Sequence, residues 1–228
     1  MSADFDAETG LLVASEAAVA ALRAGADATP DGWAELEAAG AVAGGLPHPA
    51  LKPALDAMRR PVCSLDLQRG DRRGAGWVDA QVAAMLLPEP DGRVKLVDVP
   101  TPFLPAALAR MNELGPRPRI EPAVRLRFDV AELLELLARG RDPRARPEPE
   151  ASAVTRLLAG FREHWRAEAR WPPAQDSAGR RVVEVIDTDA GLWLVVPDEP
   201  TVELWPATPT GVWLQLAGIL PRDEELAT

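Results

Sequence analysis

The stretch from Arg181 to Trp205, RVVEVIDTDAGLWLVVPDEPTVELW, decides the fold. It consists of short apolar runs rich in valine, and two polar segments, Asp187–Gly191 and Asp198-Glu199-Pro200, separate these runs. Such polar segments are typical of turns, and the runs between them are typical of strands. The stretch therefore predicts three consecutive strands, which are Arg181–Asp187, Leu192–Val196 and Thr201–Trp205.

The residues on either side extend this unit. Before it, His164–Trp171 alternates polar and apolar side chains, which is the period of a strand with one wet face. After it, Thr208-Pro209 is a typical helix start, and apolar side chains follow at helical spacing. The last helix therefore packs one stripe against the sheet, formed by Val212, Leu216 and Ile219.

A segment with the same order lies earlier in the chain. Val62–Gln68 alternates as a strand, Pro90-Asp91-Gly92 predicts a turn, and Thr101-Pro102 begins a helix that ends at Gly115. The extended segments between these points are Trp77–Asp79, Val82–Pro88 and Arg93–Val97.

Apolar positions of the two segments correspond at a constant offset of 108 residues. The matching pairs are Val94 with Val202, Leu96 with Leu204, Leu108 with Leu216, and Met111 with Ile219; Asp79 matches Asp187 in the same way. A long repeat seen twice indicates a duplicated unit rather than a solenoid. The predicted fold is therefore α+β, with a duplicated βββα unit forming a pseudo-twofold antiparallel central sheet flanked by helices.

The rest of the chain divides around these two pseudo-repeats, residues 62–115 and 164–220. Helical patterns fill residues 15–60, where Thr29 can cap a helix that ends at Gly40. Asp129 can cap a helix over Val130–Arg139, and a further helix is predicted from about Ala151 to Glu163. The Pro-rich residues 140–150 are the candidate linker. Because the repeats share one core, residues 1–228 are predicted to form a single domain.

Composition restricts the function. The net charge of −10 disfavours nucleic acid as a partner, since phosphate backbones repel an acidic chain. No apolar run is long enough for a membrane helix, and the acidic start of the chain is unlike a signal peptide, so a cytoplasmic location is expected. The single Cys63 forms no internal disulfide, and with two histidines it predicts no metal site and no cofactor.

Candidate catalytic residues are few. His48 lies in a loop between two prolines, and no nucleophile or acid is spaced to form a relay with it. Asp187–Gly191 resembles the start of a calcium loop, but the positions that require Gly and Glu hold Leu192 and Asp198. We therefore predict a protein that is not an enzyme. The alternative is a small hydrolase-like enzyme with Asp79, Asp187, Asp189 and His48 gathered in a cleft.

Tryptophan is frequent in a chain that has few other aromatic residues. Most of the seven tryptophans are expected in the core, but Val202 and Leu204 take the inner face of their strand and leave Trp205 outward. Its counterpart Val97 is expected outward as well. An exposed tryptophan on a sheet can anchor a partner, and we predict Val97, Trp205 and Trp213 as partner-binding residues.

Several stretches resemble the EspG family, the chaperones of type VII (ESX) secretion systems. They are Trp33-Ala-Glu-Leu through Ala39-Gly40-Ala-Val, His48-Pro-Ala-Leu, the strand Pro61–Leu67, and Val183–Pro197 with Trp205 and the last helix after it. The resemblance runs in order through most of the chain. It implies an α+β fold with a quasi-twofold central sheet, in agreement with the repeat.

The resemblance also implies a non-enzymatic cytoplasmic chaperone or adaptor. Its expected partner is a secreted helical client, either PE–PPE-like or another ESX substrate, and membrane insertion is not expected. A homo-oligomeric scaffold stays open as a third possibility, because edge strands can pair between subunits to give a homodimer.

Overall fold

A computed structural model describes residues 2–25, 30–121, 123–140, 160–172 and 179–226. Within these ranges the chain forms one antiparallel sheet of eleven strands, a separate two-stranded hairpin and seven α-helices. The strands are β1 Asp4–Asp6, β2 Leu11–Ala14, β3 Val42–Ala43, β4 Leu46–Pro47, β5 Cys63–Arg69, β6 Arg72–Val78, β7 Val82–Pro88, β8 Val94–Pro100, β9 Leu126–Asp129, β10 Phe161–Trp171, β11 Gly179–Thr188, β12 Gly191–Asp198 and β13 Thr201–Ala207.

The helices flank the sheet on both faces. They are α1 Glu16–Ala24, α2 Pro30–Ala38, α3 Lys52–Arg59, α4 Leu104–Met111, α5 Val130–Gly140, α6 Pro209–Ala217 and α7 Asp223–Leu226. Two short 3₁₀ turns, Pro49–Leu51 and Thr101–Phe103, lead directly into α3 and α4. The α+β class and the large antiparallel sheet between helices are therefore confirmed.

The eight central strands of the large sheet are arranged symmetrically about the β5–β10 pair. The strand order reads β1-β2-β8-β7-β6-β5-β10-β11-β12-β13-β9, so two four-stranded meanders meet where β5 pairs with β10. Leu67 lies opposite Ala167 at the midpoint, and the pairs Leu65–Ala169 and Arg69–Trp165 lie on either side of it. A twofold axis through the midpoint would exchange these two outer pairs. The arrangement accords with a duplicated unit, which stays a prediction.

The strand register refines the offset between the two halves. Met85 lies opposite Val97 in β7–β8, and Leu194 lies opposite Trp205 in β12–β13, so Val97 and Trp205 are equivalent at the predicted offset. Val78 lies opposite Ala83, as Asp187 lies opposite Leu192. The match of Asp79 with Asp187 is therefore wrong by one residue, because the connection from β7 to β8 is one residue longer than its counterpart.

Each half has four strands rather than three. In the first half only the end of β6, at Trp77 and Val78, was predicted as extended; the rest of the strand contains Gly74 and Gly76, which are weak strand formers. A Cβ on Gly76 would come within 3.0 Å of the Leu65 side chain, and one on Gly74 within 2.8 Å of the Leu86 carbonyl. Close contacts between neighbouring strands therefore explain why glycine occupies positions 74 and 76. Strand propensity alone would predict that this segment is not a strand.

Three further expectations need correction. Phe161–Glu163 was predicted as the end of a helix but begins the long strand β10, because its backbone pairs with β11. Residues 151–159 of that predicted helix lie outside the described residues. Residues 141–150 of the predicted linker lie outside them as well. Thr101-Pro102 begins a 3₁₀ turn and not α4 itself, and the Thr101 hydroxyl donates to the Asp79 carbonyl instead of capping the helix. The short edge strands β1 and β2 were not predicted, and the proposed cap Thr29 lies outside the described residues.

The apolar core forms three clusters on the two faces of the sheet. One face carries the central cluster, which α4 and α6 cover. On the other face, one cluster lies at the β2–β8 end under α1, α2 and α3, and another lies at the β13–β9 end under α5. The sheet therefore has a helix pair over the middle of one face and helices over both ends of the other.

We predict that replacing Gly179 by alanine destabilises the fold. The indole of Trp171 lies over Gly179 on the neighbouring strand, and an added Cβ would overlap the ring. Overpacking of this kind costs about 1–3 kcal/mol, which urea unfolding measures. Gly211→Ala is the matched control: its Cβ would approach nothing closer than the Thr208 Oγ1 at 3.4 Å, so stability should be equal or slightly higher. Equal effects of both changes would contradict the packing argument.

Candidate partner-binding surface

Helices α4 and α6 form the roof over the middle of the sheet. Leu104 and Leu108 of α4 and Val212 and Leu216 of α6 are fully buried in the same cluster. Thr208 caps α6 by accepting a hydrogen bond from the Gly211 backbone N–H, as the Thr-Pro start predicts. The buried stripe fixes which side of α6 points away from the sheet.

The outer side of α6 carries two large apolar side chains. Trp213 is 43% exposed and Leu214 is 60% exposed. The equivalent positions of α4, at the offset of 108 residues, are Pro105 and Ala106. Because α4 covers the same core without large outer side chains, the fold does not require them on α6.

Trp205 lies on the same face of the sheet, where it is half-buried. The Arg125 guanidinium lies 3.9 Å from the centre of its ring, and the indole Nε1 donates to the Glu203 carboxylate at 2.7 Å. The cation–π contact and the hydrogen bond together fix the orientation of the Trp205 indole ring. The indole ring is therefore less accessible than the strand pattern alone indicates.

Val97 is less accessible than expected. It is half-buried and packs against the central cluster beneath the helix roof. The sequence pattern correctly separates it from the inner residues Val94 and Leu96, which pack on the opposite face. The face that the pattern left open is covered by α4 and α6, because that face also carries apolar side chains in the central strands.

Sequence analysis missed two apolar positions of this surface. Leu214 and Phe103, the latter 64% exposed just before α4, were not predicted. The signal for Leu214 was present, since it lies outside the stripe of Val212, Leu216 and Ile219. The signal for Phe103 was not, because the 3₁₀ turn that turns it outward depends on the contact between Thr101 and the β6–β7 turn.

The candidate catalytic residues do not come together. His48 lies near β1, where its ring packs edge-on against Phe5 and its Nδ1 accepts from the Ala50 N–H. Asp187 lies on β11, which is seven strand positions away, roughly 30 Å at ordinary strand spacing. Asp79 follows β6 and Asp187 ends β11, and these antiparallel strands place the two acids at opposite edges of the sheet.

Each of these acids has a local structural role. Asp79 accepts hydrogen bonds from the backbone N–H groups of Gln81 and Val82, which shapes the β6–β7 turn. Asp187 is buried and accepts from both Nε and Nη2 of Arg117, the latter at 2.7 Å. This ion pair holds the segment after α4 to β11, so the arrangement gives no acid–histidine relay.

A charged cluster lies at the centre of the opposite face. Glu168 of β10 is buried and forms ion pairs with Arg166, Arg170 and Arg180; Nε of Arg180 approaches its carboxylate at 2.7 Å. Burial raises the pKa of Glu168, but hydrogen bonds from Arg180 and Arg170 and the charges of Arg166 and Arg180 outweigh it and lower the pKa to about 2. The carboxylate therefore stays ionised.

His164 and Cys63 both have structural surroundings. The polar face of its strand left His164 either exposed to solvent or paired with a cross-strand acid, and the structure shows the second: His164 is buried and its Nε2 lies 2.9 Å from the Glu184 carboxylate. Cys63 alternates with Leu65 and Leu67 on the inner face of its strand and is buried, and burial raises the pKa of its thiol to about 11, which disfavours a nucleophilic thiolate. Among the described residues, no three His, Cys, Asp or Glu side chains form a group that could hold a metal ion, and no helix is long and apolar enough to cross a membrane.

Comparison with known proteins identifies the fold. No protein-family model matches the sequence, and no curated protein matches it. The chain is similar to a solved structure described as the Mycobacterium tuberculosis type VII secretion system chaperone EspG5 in complex with a PE25–PPE41 dimer. The match has a TM-score of 0.54 at 16% identity and covers 84% of this chain and 86% of the other. At this identity the similarity concerns the fold.

We predict that Glu168→Gln destabilises the protein in a pH-dependent way. The pKa of Glu168 is near 2 in the fold and about 4.3 in an unfolded chain. The ionised carboxylate therefore stabilises the fold above about pH 4.5, and this contribution is lost as the pH falls through 2. The variant should lose about 2–3 kcal/mol at pH 7 and progressively less toward pH 2.5.

Urea unfolding at pH 7, 4 and 2.5 measures this difference. Glu224→Gln, a change at an exposed position of α7, is the control and should match the unmodified chain at each pH. A loss of stability for Glu168→Gln that is the same at all three pH values would contradict the proposed charge pairing.

Proposed function

We propose that this protein is a non-enzymatic chaperone or adaptor that binds a helical client protein of a type VII (ESX) secretion system. The observation that carries the proposal is the pair Trp213 and Leu214, which are exposed on a helix whose counterpart has Pro105 and Ala106. Large apolar side chains that the fold does not use are typical of binding surfaces. The similarity in fold to a type VII secretion chaperone supports the same function.

The chemistry of this surface favours a helical partner. An amphipathic helix binds by placing apolar side chains at positions i, i+3 and i+4 against an apolar groove. Trp213 and Leu214 on α6 and Trp205 on the sheet offer wide apolar surfaces of this kind, and the Arg125–Trp205 contact holds one of them in place. Val97 contributes less, because the helix roof covers part of it.

The client we propose is a PE–PPE-like pair or another secreted ESX substrate, since the similar solved structure is a complex with a PE–PPE dimer. An aggregation-prone apolar client tip would be kept from self-association until export. We propose a cytoplasmic location for this step. A nucleic-acid partner is disfavoured by the net charge of −10.

Co-expression tests the proposal. The protein is produced together with each small helical pair encoded beside its own gene, and complexes are isolated by affinity and size-exclusion chromatography. We expect one pair to co-purify in a stable complex. The double change Trp213→Asp and Leu214→Asp should reduce the recovered complex at least about tenfold, because it puts two charges into an apolar contact.

The control is Leu46→Asp, a change at a 71%-exposed leucine in the hairpin before α3. It should leave the complex intact, which separates a loss of the α6 surface from a general loss of exposed apolar area. Failure of every neighbouring pair to bind, or an equal effect of the two changes, would count against the proposal.

A further inference from the structure

A cleft opens on the first half of the molecule, where β6 and β7 separate. The two strands pair only between Ala75–Val78 and Ala83–Leu86, and they diverge away from the turn that joins them, toward the β5–β6 and β7–β8 turns. The cleft has a volume of about 290 Å³, and the end of α4 closes one side of it. Its apolar wall includes Leu67, Leu87 and Met111, and polar and charged side chains line the rest of it.

The charge of this cleft is not balanced. Arg72 and Lys95 line it, and in the part of the chain that the structure describes neither makes a hydrogen bond or an ion pair with its side chain. Arg69 and Arg166 also line it, but both guanidinium groups are already paired, Arg69 with Glu113 and Glu163 and Arg166 with Glu168. One acid, Glu89, lies at the rim. Two free cations beside apolar walls favour a ligand that carries both a carboxylate and an apolar group.

The corresponding region of the second half indicates which kind of ligand such a cleft can bind. There β11 and β12 pair only between Val185–Thr188 and Gly191–Leu194 and then diverge in the same way. Arg72 lies opposite Arg69 on β5, and the equivalent position on β11, opposite Ala169, is Arg181. Arg181 is thus the counterpart of Arg72.

Arg181 is occupied by the chain's own carboxyl-terminal segment. Its Nη2 donates to both oxygens of the Glu225 carboxylate, at 2.8 and 2.6 Å, and its Nη1 donates to the Leu220 carbonyl. Its guanidinium also lies 5.1 Å from the centre of the Trp171 ring. An acidic segment with leucines, Leu220–Leu226, therefore covers the position that corresponds to the open cleft.

We propose that the cleft at Arg72 and Lys95 binds an acidic segment of a partner polypeptide, in the way that the second half binds its own carboxyl-terminal segment. A carboxylate of the partner pairs with Arg72 and Lys95, and a neighbouring apolar side chain contacts Leu67, Leu87 and Met111. This site is separate from the surface of α6. It adds charge recognition to an otherwise apolar contact.

A synthetic peptide tests the site directly. The probe is LPRDEELAT, the sequence of residues 220–228, added to the full-length protein labelled with ¹⁵N. We expect saturable chemical-shift changes around Arg72, Leu87, Lys95 and Met111, with half-saturation below about 1 mM. The same peptide with Asn and Gln in place of its three acids should bind at least about fivefold more weakly, since it lacks the charge pairing.

Variants of the protein complete the test. Arg72→Glu combined with Lys95→Glu should weaken binding of the acidic peptide at least about tenfold, whereas Arg59→Glu, a charge reversal on the exposed side of α3, should not. Circular dichroism checks that all three proteins are folded.

Three results would overturn the proposal. They are equal binding of the neutral peptide, shifts around Arg181 and Trp171 in place of Arg72, and no saturation below several millimolar. Because the probe is a peptide and needs no client, these outcomes are distinct from a failure of the co-expression experiment, which concerns α6.

Discussion

The antiparallel pairing of β5 with β10 is the interaction on which the rest of the structure depends. It joins two four-stranded meanders into the eight central strands of the eleven-stranded sheet. On one face, Leu65, Leu67, Ala167 and Ala169 form the floor of the central core. Without this pairing α4 and α6 would each cover half a core, and the two helices would have no common surface to pack on.

The opposite face of the same two strands determines where the other helices lie. Asp66 and Gln68 on β5 and Arg166 and Glu168 on β10 make its centre polar. A buried charge needs a partner of opposite charge, and Glu168 forms ion pairs with Arg166, Arg170 and Arg180. An apolar helix over this strip would have to remove those charges from water. The apolar clusters of this face accordingly lie at its two ends, under α1–α3 and under α5.

Much of this fold could be predicted from the sequence, because alternation and turn residues act locally. His164–Trp171, the turn at Asp198–Pro200 and the Thr208 cap all depend on neighbouring residues, and each is found where predicted. The first part of β6 could not be predicted, because glycine at positions 74 and 76 is explained by close contacts with neighbouring strands. The same holds for the surface: exposure of Trp213 and Leu214 follows from a helical stripe, whereas the Arg125–Trp205 contact and the cover over Val97 arise only from tertiary packing.

Comparison of the two halves separates what the fold requires from what it leaves free. Positions that build the sheet and the roof are alike in both, as with Leu96 and Leu204 or Leu108 and Leu216. The halves differ at two places. On the outer side of the roof helices, α6 carries Trp213 where α4 carries Pro105. The carboxyl-terminal segment covers Arg181, whereas Arg72 lines an open cleft. Since α4 covers the central core with Pro105 and α6 with Trp213, stability of the core does not account for this difference. The difference agrees with the proposed binding of another polypeptide at α6.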